Sequence, residues 1–318
     1  MIYKHSYKDK LPEPKLPTCD ICNKWYWYFT NKFGKKLCPA CAATYEPSII
    51  TSNWNIAISP SNFEEYVGQN TTKQELQTML KAQKIHHLNV PHCLFGGEFG
   101  LGKTTLAKIF ASYIEDYVLI NSNEIDFSNF PKAKVVILDE IQSLKNSSQL
   151  LTIMDTSEQI ILGCTTTVGS LSAPLRSRFI HFNLDPYSVT DLIKMLENLS
   201  TRLKIDVPKF ILQEISKRSK ENARLSTLLF RRMYDNYIVY KGWNIKKFFE
   251  DSGIDSNGLD NIDKKYLAAL NKITPIGIQQ LSAVTGIDKI TILEIVEPFL
   301  LRHNYVSRTP KGRLLCQI

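Results

Sequence analysis

The string Gly97-Glu-Phe-Gly-Leu-Gly-Lys-Thr-Thr105 fits G-x-x-x-x-G-K-[ST], with Gly97, Gly102, Lys103 and Thr104 at its fixed places. The glycines, Gly100 included, let backbone N–H groups turn inward around phosphate oxygens, and a following helix adds the positive end of its dipole. Lys103 suits β- and γ-phosphates, and Thr104, followed by Thr105, offers a hydroxyl to Mg2+. A second string, Val135-Val-Ile-Leu-Asp-Glu140, ends a run of apolar β-formers in two acids. On a buried parallel strand those carboxylates emerge at the C-terminal edge. There Asp139 can hold Mg2+ through water, and Glu140 can polarise an attacking water as general base. Loop and acids together are the chemistry of nucleoside triphosphate hydrolysis, so ATP and Mg2+ are the expected ligands.

A different chemistry stands upstream. Cys19-Asp-Ile-Cys22 and Cys38-Pro-Ala-Cys41 are two C-x-x-C turns at the spacing of a two-pair zinc site. Four thiolates close a tetrahedral shell, so the expected Zn2+ is structural, in a small zinc ribbon. Trp25 to Phe29 suits a strand, and Lys32, Gly34, Lys35 and Lys36 suit a basic turn. The aromatic residues either fill the ribbon's small core or stack on bases.

The elements needed to position these groups can be read in order. Cys93 to Phe95 reads as a strand before the loop, and Leu106, Ala107, Ile109, Phe110 and Tyr113 have helical spacing after it. Thr72-x-x-Glu75 reads as a capping box opening a helix with Leu76, Met79 and Leu80 on one face. Tyr117 to Ile120 and Gln159 to Cys164 read as strands, with a short helix over 149–155 between the acids and the latter. Thr165 and Thr166 follow at a strand end, placed either to sense the γ-phosphate or as an ordinary loop. Arg176 and Arg178 lie just before another strand; they are a surface pair, or one of them clamps a neighbouring subunit's nucleotide. From Leu184 to Asp255 the pattern is helical: Val189 to Leu203, a helix begun by Pro208, and Asn222 to Tyr240, which carries Arg224. Helices over Asp263 to Ile273, Ile278 to Val284 and Ile290 to Arg302, then a basic hairpin around Tyr305 to Cys316, make a winged helix. Arg302, Arg308, Lys311 and Arg313 put charge on the third helix and the wing, where such domains meet DNA; protein contact is the other use of the fold.

The chain has 318 residues, 43% of them hydrophobic, which fits several α/β and helical domains rather than one. The expected division is a flexible leader (1–17), zinc ribbon (18–47), P-loop α/β domain (48–183), helical lid (184–255) and winged helix (256–318). A net charge of +8 suits a polyanionic partner such as DNA, although a generally basic surface gives the same balance. No apolar run is long enough to span a membrane, and the polar, Pro-rich start is not a secretory signal. Tight cysteine pairs point to metal in a reducing compartment, and so to the cytoplasm.

The order of modules resembles that of AAA+ ATPases, and in detail the chain resembles the RuvB family of Holliday-junction branch-migration motors. The resemblance rests first on Glu65-Tyr-Val-Gly-Gln69, Gly100 to Ala107, Leu138-Asp-Glu-Ile141, Gly163-Cys-Thr-Thr166, Gly169 to Phe179 and Leu229-Phe-Arg-Arg232. Its most specific part is Ile292-Leu-Glu-Ile-Val-Glu-Pro-Phe-Leu300 with Ser307 to Arg313. It covers roughly residues 60–318. It implies that Tyr66 and Val67 border the adenine, Thr165 or Thr166 is the first sensor, Arg178 is an arginine finger acting in trans, and Arg224 is the lid's second sensor. A finger in trans implies a homo-oligomeric ring, a hexamer, with DNA at the wing. The chain departs from the family in three ways. It adds the ribbon, it has Glu98-Phe99 where the family has two prolines, and the stretch from Glu140 to Thr165 is too short for the hairpin that docks the family's junction-recognition partner. The prolines' places are expected to tolerate change because they offer only backbone. The expectation is then a different protein partner or none, with the ribbon as the substitute dock.

Overall fold

The computed structural model describes residues 30–32, 35–37, 59–86 and 89–316. The chain divides into two compact units, Met1–Ala57 and Ile58–Ile318. In the first, β1 (Thr30–Lys32) and β2 (Lys35–Leu37) pair antiparallel with Thr30 opposite Leu37. This puts Lys32, Lys35 and Lys36 in strands, not in the turn expected of them. Cys19, Cys22, Cys38 and Cys41, and with them the zinc ribbon, lie outside the described residues, as does the strand expected at Trp25 to Phe29.

The second unit is built on a parallel sheet ordered β4-β5-β6-β3-β7. Its strands are β3 (Cys93–Gly96), β4 (Tyr117–Asn121), β5 (Val135–Asp139), β6 (Ile160–Thr165) and β7 (Ile180–Asn183). Strand periodicity sends alternate residues to opposite faces. Val135, Ile137, Leu162 and Phe95 pack under α1 (Asn70–His86) and α2 (Lys103–Ser112). Val136, Leu138, Leu94 and Ile161 pack under α3 (Ser147–Thr156) and α4 (Ala173–Arg176). Both faces are covered, which is why these strands read as unbroken apolar runs.

The capping box expected at Thr72 and Glu75 does not form. The helix is already under way at Asn70, its first turn closed by Lys73 N donating to Gln69 O at 2.9 Å, and Thr72 is buried within it. Gln69 spends its amide on the backbone of Asp185, accepting from its N at 3.1 Å and donating to its O at 2.7 Å. Between β5 and β6 the chain makes a 3-10 turn (Ile141–Ser143) and α3, with no strand, so the short connection holds no hairpin.

The lid contains α5 (Val189–Leu203), α6 (Lys209–Lys217), α7 (Ala223–Tyr240) and α8 (Ile245–Ser252). The last of these falls inside the stretch whose pattern is helical, though no separate helix is read there; Asn244 caps it by accepting from Lys247 N. The winged helix follows as α9 (Asn261–Lys272), α10 (Ile278–Thr285), α11 (Lys289–Thr291), a π turn (Ile292–Val296), α12 (Glu297–Arg302), β8 (Val306–Thr309) and β9 (Gly312–Leu315). The expected third helix is thus one rod with a widened turn just ahead of Pro298, whose missing N–H breaks the regular ladder. Tyr266, Leu270, Leu281, Ile292, Val296 and Leu300 fill its core. Among the described residues no helix is long and apolar enough to cross a membrane.

Candidate functional site

Parallel register brings the expected groups to one edge of the sheet. Gly96 is opposite Thr165, and Asn121 is opposite Asp139, so the phosphate loop, the threonines and the acids leave β3, β6 and β5 side by side. Strand β6 lies between the other two, which is where a γ-phosphate sensor belongs. The cleft there has a volume of about 390 Å³. Tyr66, Val67, Gly100, Gly102, Lys103, Thr104, Thr105, Asp139, Glu140 and Arg224 all line it. Gly97, Gly100 and Gly102 hold φ of +138°, +79° and +87°, a region L side chains avoid. A Cβ on Gly100 would meet Asn222 Oδ1 at 2.4 Å, and one on Gly102 would meet the Tyr66 hydroxyl at 2.7 Å.

Lys103 is buried, and its Nζ donates to the carbonyls of Gly97 (3.0 Å) and Glu98 (2.9 Å). Burial pulls its ammonium below the ordinary lysine value, and Cys164, Glu140 and Asp139 work against that fall. Thr104 Oγ1 donates to Asp139 Oδ1 at 2.9 Å. Two hard oxygens so close, one of them anionic, fit a Mg2+ site. Tyr66 sits beneath the loop, its hydroxyl donating to the carbonyls of Leu101 (3.3 Å) and Gly102 (3.4 Å). Tyr187 donates to Leu101 O at 3.3 Å and to the Tyr66 hydroxyl at 3.2 Å. Burial, with Tyr187 alongside, pushes the Tyr66 hydroxyl well up, so it remains a donor.

Glu140 turns the chain out of β5 in left-handed backbone, φ 50° and ψ 49°. Its carboxylate accepts from Gln142 Nε2. Gln142 also accepts from Thr165 Oγ1 at 2.7 Å and donates to Thr166 Oγ1 at 3.3 Å. One amide therefore ties the candidate base to both candidate sensors. Gln142 and Tyr187 escape sequence reasoning, since nothing marks a glutamine in a 3-10 turn or a tyrosine in a loop. At the rim, Arg224 lies over the Phe99 ring, 4.8 Å from its centre, and its N donates to Gly100 O at 3.3 Å.

Family models described as the Holliday junction DNA helicase RuvB P-loop domain and the RuvB C-terminal winged helix domain match residues 58–151 and 256–318. The Holliday junction branch migration complex subunit RuvB of a Nitratiruptor species is 30% identical over 302 residues, spanning 83% of this chain and 90% of that one. The chain belongs to the RuvB family. The RuvB subunit of Thermosipho melanesiensis is 31% identical over 290 residues, spanning 79% of this chain and 93% of its own length. The solved Thermotoga maritima RuvB Holliday junction branch migration motor matches with a TM-score of 0.76 at 29% identity, covering 82% of this chain and 96% of that one.

In this RuvB-family chain the basic residues of the winged helix are placed differently from what their sequence position implies. Glu297 of α12 is fully buried. It accepts from Arg308 Nε (2.7 Å), Arg313 Nε (2.7 Å) and the Tyr266 hydroxyl (2.9 Å). Arg313, whose side chain is 14% exposed, is therefore a strut between wing and helix, not an outward DNA contact. Arg302 is likewise occupied within the chain, by Glu98 and Glu221. The third helix presents Ile290, Leu293 and Ile295 to solvent, so beyond the exposed Lys289 at its start its outward face is largely apolar. Lys311 at the wing tip and the half-exposed Arg308 keep outward positions. Replacing Glu297 by alanine strands both arginines, and the winged helix is expected to lose about 3 kcal/mol; this is the low end for a broken buried pair, because Arg308 still reaches water. Thermal unfolding of the full chain measures it, and Glu297→Gln should destabilise as well, because it removes the charge and sets an amide N–H2 against donors that Glu297 now accepts from.

Proposed function

We propose that this chain is an ATP-driven DNA motor of RuvB type that assembles as a ring, a hexamer, and moves branched DNA in recombination or repair. The observation that carries this is the shared cleft in which loop, acids and lid arginine converge, with Thr165 and Thr166 tied to Glu140 through Gln142, in a chain that matches RuvB relatives over most of its length. Lys103 and the loop N–H groups hold the phosphates. Thr104 and Asp139 hold Mg2+, which supplies charge neutralisation across the β- and γ-phosphates. Glu140 takes the proton from water as its oxygen bonds to the γ-phosphorus and the bond to the ADP oxygen breaks. Thr165 and Thr166 read the γ-phosphate, Arg224 reports it to the lid, and Arg178 completes a neighbour's site. Arg308 and Lys311 at the wing meet the DNA backbone.

The domain limits we propose are those of the sequence reading for ribbon (18–47), lid (184–255) and winged helix (256–318), with the P-loop domain begun at Ile58, where the second compact unit starts, rather than at 48. Cys19, Cys22, Cys38 and Cys41 hold one structural Zn2+. Metal analysis of dialysed protein should find about one zinc per chain, lost in Cys19→Ser/Cys22→Ser; protein without zinc that keeps its melting behaviour would remove the ribbon. With no hairpin between β5 and β6, the N-terminal unit is the remaining candidate dock for a protein partner.

The same short connection favours a second reading, an ATP-switched loader that assembles on DNA without translocating. The discriminating measurement is strand displacement by the protein alone, with ATP and Mg2+, on a four-way junction and on plain duplex. A motor displaces strands from the junction; DNA-stimulated hydrolysis without displacement belongs to the loader.

A further inference from the structure

Phosphate loop, lid and winged helix meet at one seam. The Glu98 carboxylate, in the loop, pairs with the Arg302 guanidinium at the end of α12. Arg302 Nε also donates to Glu221 Oε2 at 2.9 Å, and His303 Nε2 lies 3.1 Å from Glu221 Oε1. Glu221 belongs to the turn before α7, where Lys220 and Glu221 hold left-handed backbone, φ 49° and 59°. Such conformations persist only where surrounding contacts hold them. Here the side chains of three consecutive residues reach different neighbours. Lys220 pairs with Asp260 (2.9 Å) and Asp263 of the winged helix. Glu221 takes Arg302, and Asn222 Nδ2 donates to the Phe99 carbonyl of the loop at 2.6 Å. A cavity of about 200 Å³ runs along the seam, with Phe99, Leu228, Ile295 and Pro298 in its walls.

The contacts at Glu98 and Phe99 are ones that nucleotide binding exchanges. Lys103 donates to the Glu98 carbonyl, and gripping a phosphate redirects that ammonium. Arg224 lies on the Phe99 ring, and in the role proposed for it it would leave that ring to meet a γ-phosphate. Both movements act on the two residues whose side chains and carbonyls hold lid and winged helix. We propose that Glu98 and Phe99 are positioning residues that transmit nucleotide occupancy to the winged helix, Glu98 through Arg302 and Phe99 through Arg224 and Asn222. The inference rests on the reading of the loop as an ATP site. It also revises the expectation that these two positions offer only backbone. A lone exposed ion pair would be too weak to carry the signal; the Glu98–Arg302 pair is one limb of a network that includes Glu221 and Lys220.

The test is hydrogen exchange by mass spectrometry on the full chain, with and without a non-hydrolysable ATP analogue and Mg2+, followed in peptides covering α12. Wild-type protein should show a nucleotide-dependent change in protection there. Glu98→Ala and Arg302→Ala should each lose it, and the double variant should match either single one. Phe99→Ala should lose the corresponding change in the first turn of α7. Analogue affinity is titrated for every variant, and one that no longer binds is replaced by its conservative form, Glu98→Gln, Phe99→Leu or Arg302→Lys. A change that persists in Glu98→Ala or Glu98→Gln, additive effects in the double variant, or no change in analogue-bound wild type overturns the proposal. The motor reading fails separately, through absent junction-stimulated hydrolysis in wild type, and the exchange result still decides the coupling.

Discussion

Glutamine in place of Glu140 should leave nucleotide and DNA binding intact and lower hydrolysis by roughly 10²–10⁴-fold, the usual weight of a positioned general base. The substitution keeps the side chain's shape and removes its basicity. The left-handed turn after β5 is unaffected, because its bonds come from the backbone: Ser143 N and Oγ each donate to Glu140 O at 2.8 Å. Gln142 Nε2 can still donate to the new amide oxygen. The Thr104–Asp139 contact, at 2.9 Å, lies outside the change, so the candidate Mg2+ ligands stay together. Phosphate release under saturating ATP, beside a fluorescent-nucleotide titration, separates turnover from binding. Turnover within a few-fold of wild type would take Glu140 out of the base role and leave Gln142 and the threonines as a structural cluster.

What the sequence makes legible follows the range of the interactions concerned. The phosphate loop, the acidic strand and the strand before the threonines are local patterns, and their convergence follows from parallel register alone. The winged helix is equally readable, because its helices carry their own periodicity. The basic residues mislead because charge shows in a sequence while the partner does not. Arg313 reads as a wing contact until Glu297, buried on another element, is seen to hold it. Arg302 reads the same way until Glu98 appears beside it, from far upstream. Thr72 and Glu75 have the spacing of a capping box, yet the helix starts earlier, at Asn70, where Gln69 anchors it to the lid entrance through Asp185. Tyr187, Gln142 and Asn222 carry no motif; each matters through hydrogen bonds to loop, acid or threonine that only the fold creates.

Arg178 should prove essential in a neighbour's site and dispensable in its own. It precedes the first residue of β7, whereas the phosphate loop follows the last residue of the parallel neighbour β3, with Cys93 opposite Ile180. The two therefore lie at opposite edges of the sheet, at least a strand length of about 13 Å apart, too far for its guanidinium to serve the cleft of the same chain. Instead its Nε and Nη2 donate to Asp155 at 2.8 and 2.6 Å, and Nη1 donates to Pro174 O at 2.9 Å. That bond to Arg178 holds the Asp155 carboxyl below its ordinary value, so the pair stays charged at neutral pH. An exposed pair of this kind is easily exchanged for another anion, and a polyphosphate offers more charge than one carboxylate. Arg178→Ala is thus expected to cut hydrolysis by roughly 10³-fold or more, as loss of an arginine finger does, with nucleotide binding preserved. Mixing decides whether the finger works in trans. Arg178→Ala and Glu140→Gln proteins, each inactive alone, should recover activity together, because some interfaces then pair an intact base with an intact finger. No recovery at any ratio, in mixtures shown to co-assemble, would return Arg178 to the surface pair it makes with Asp155.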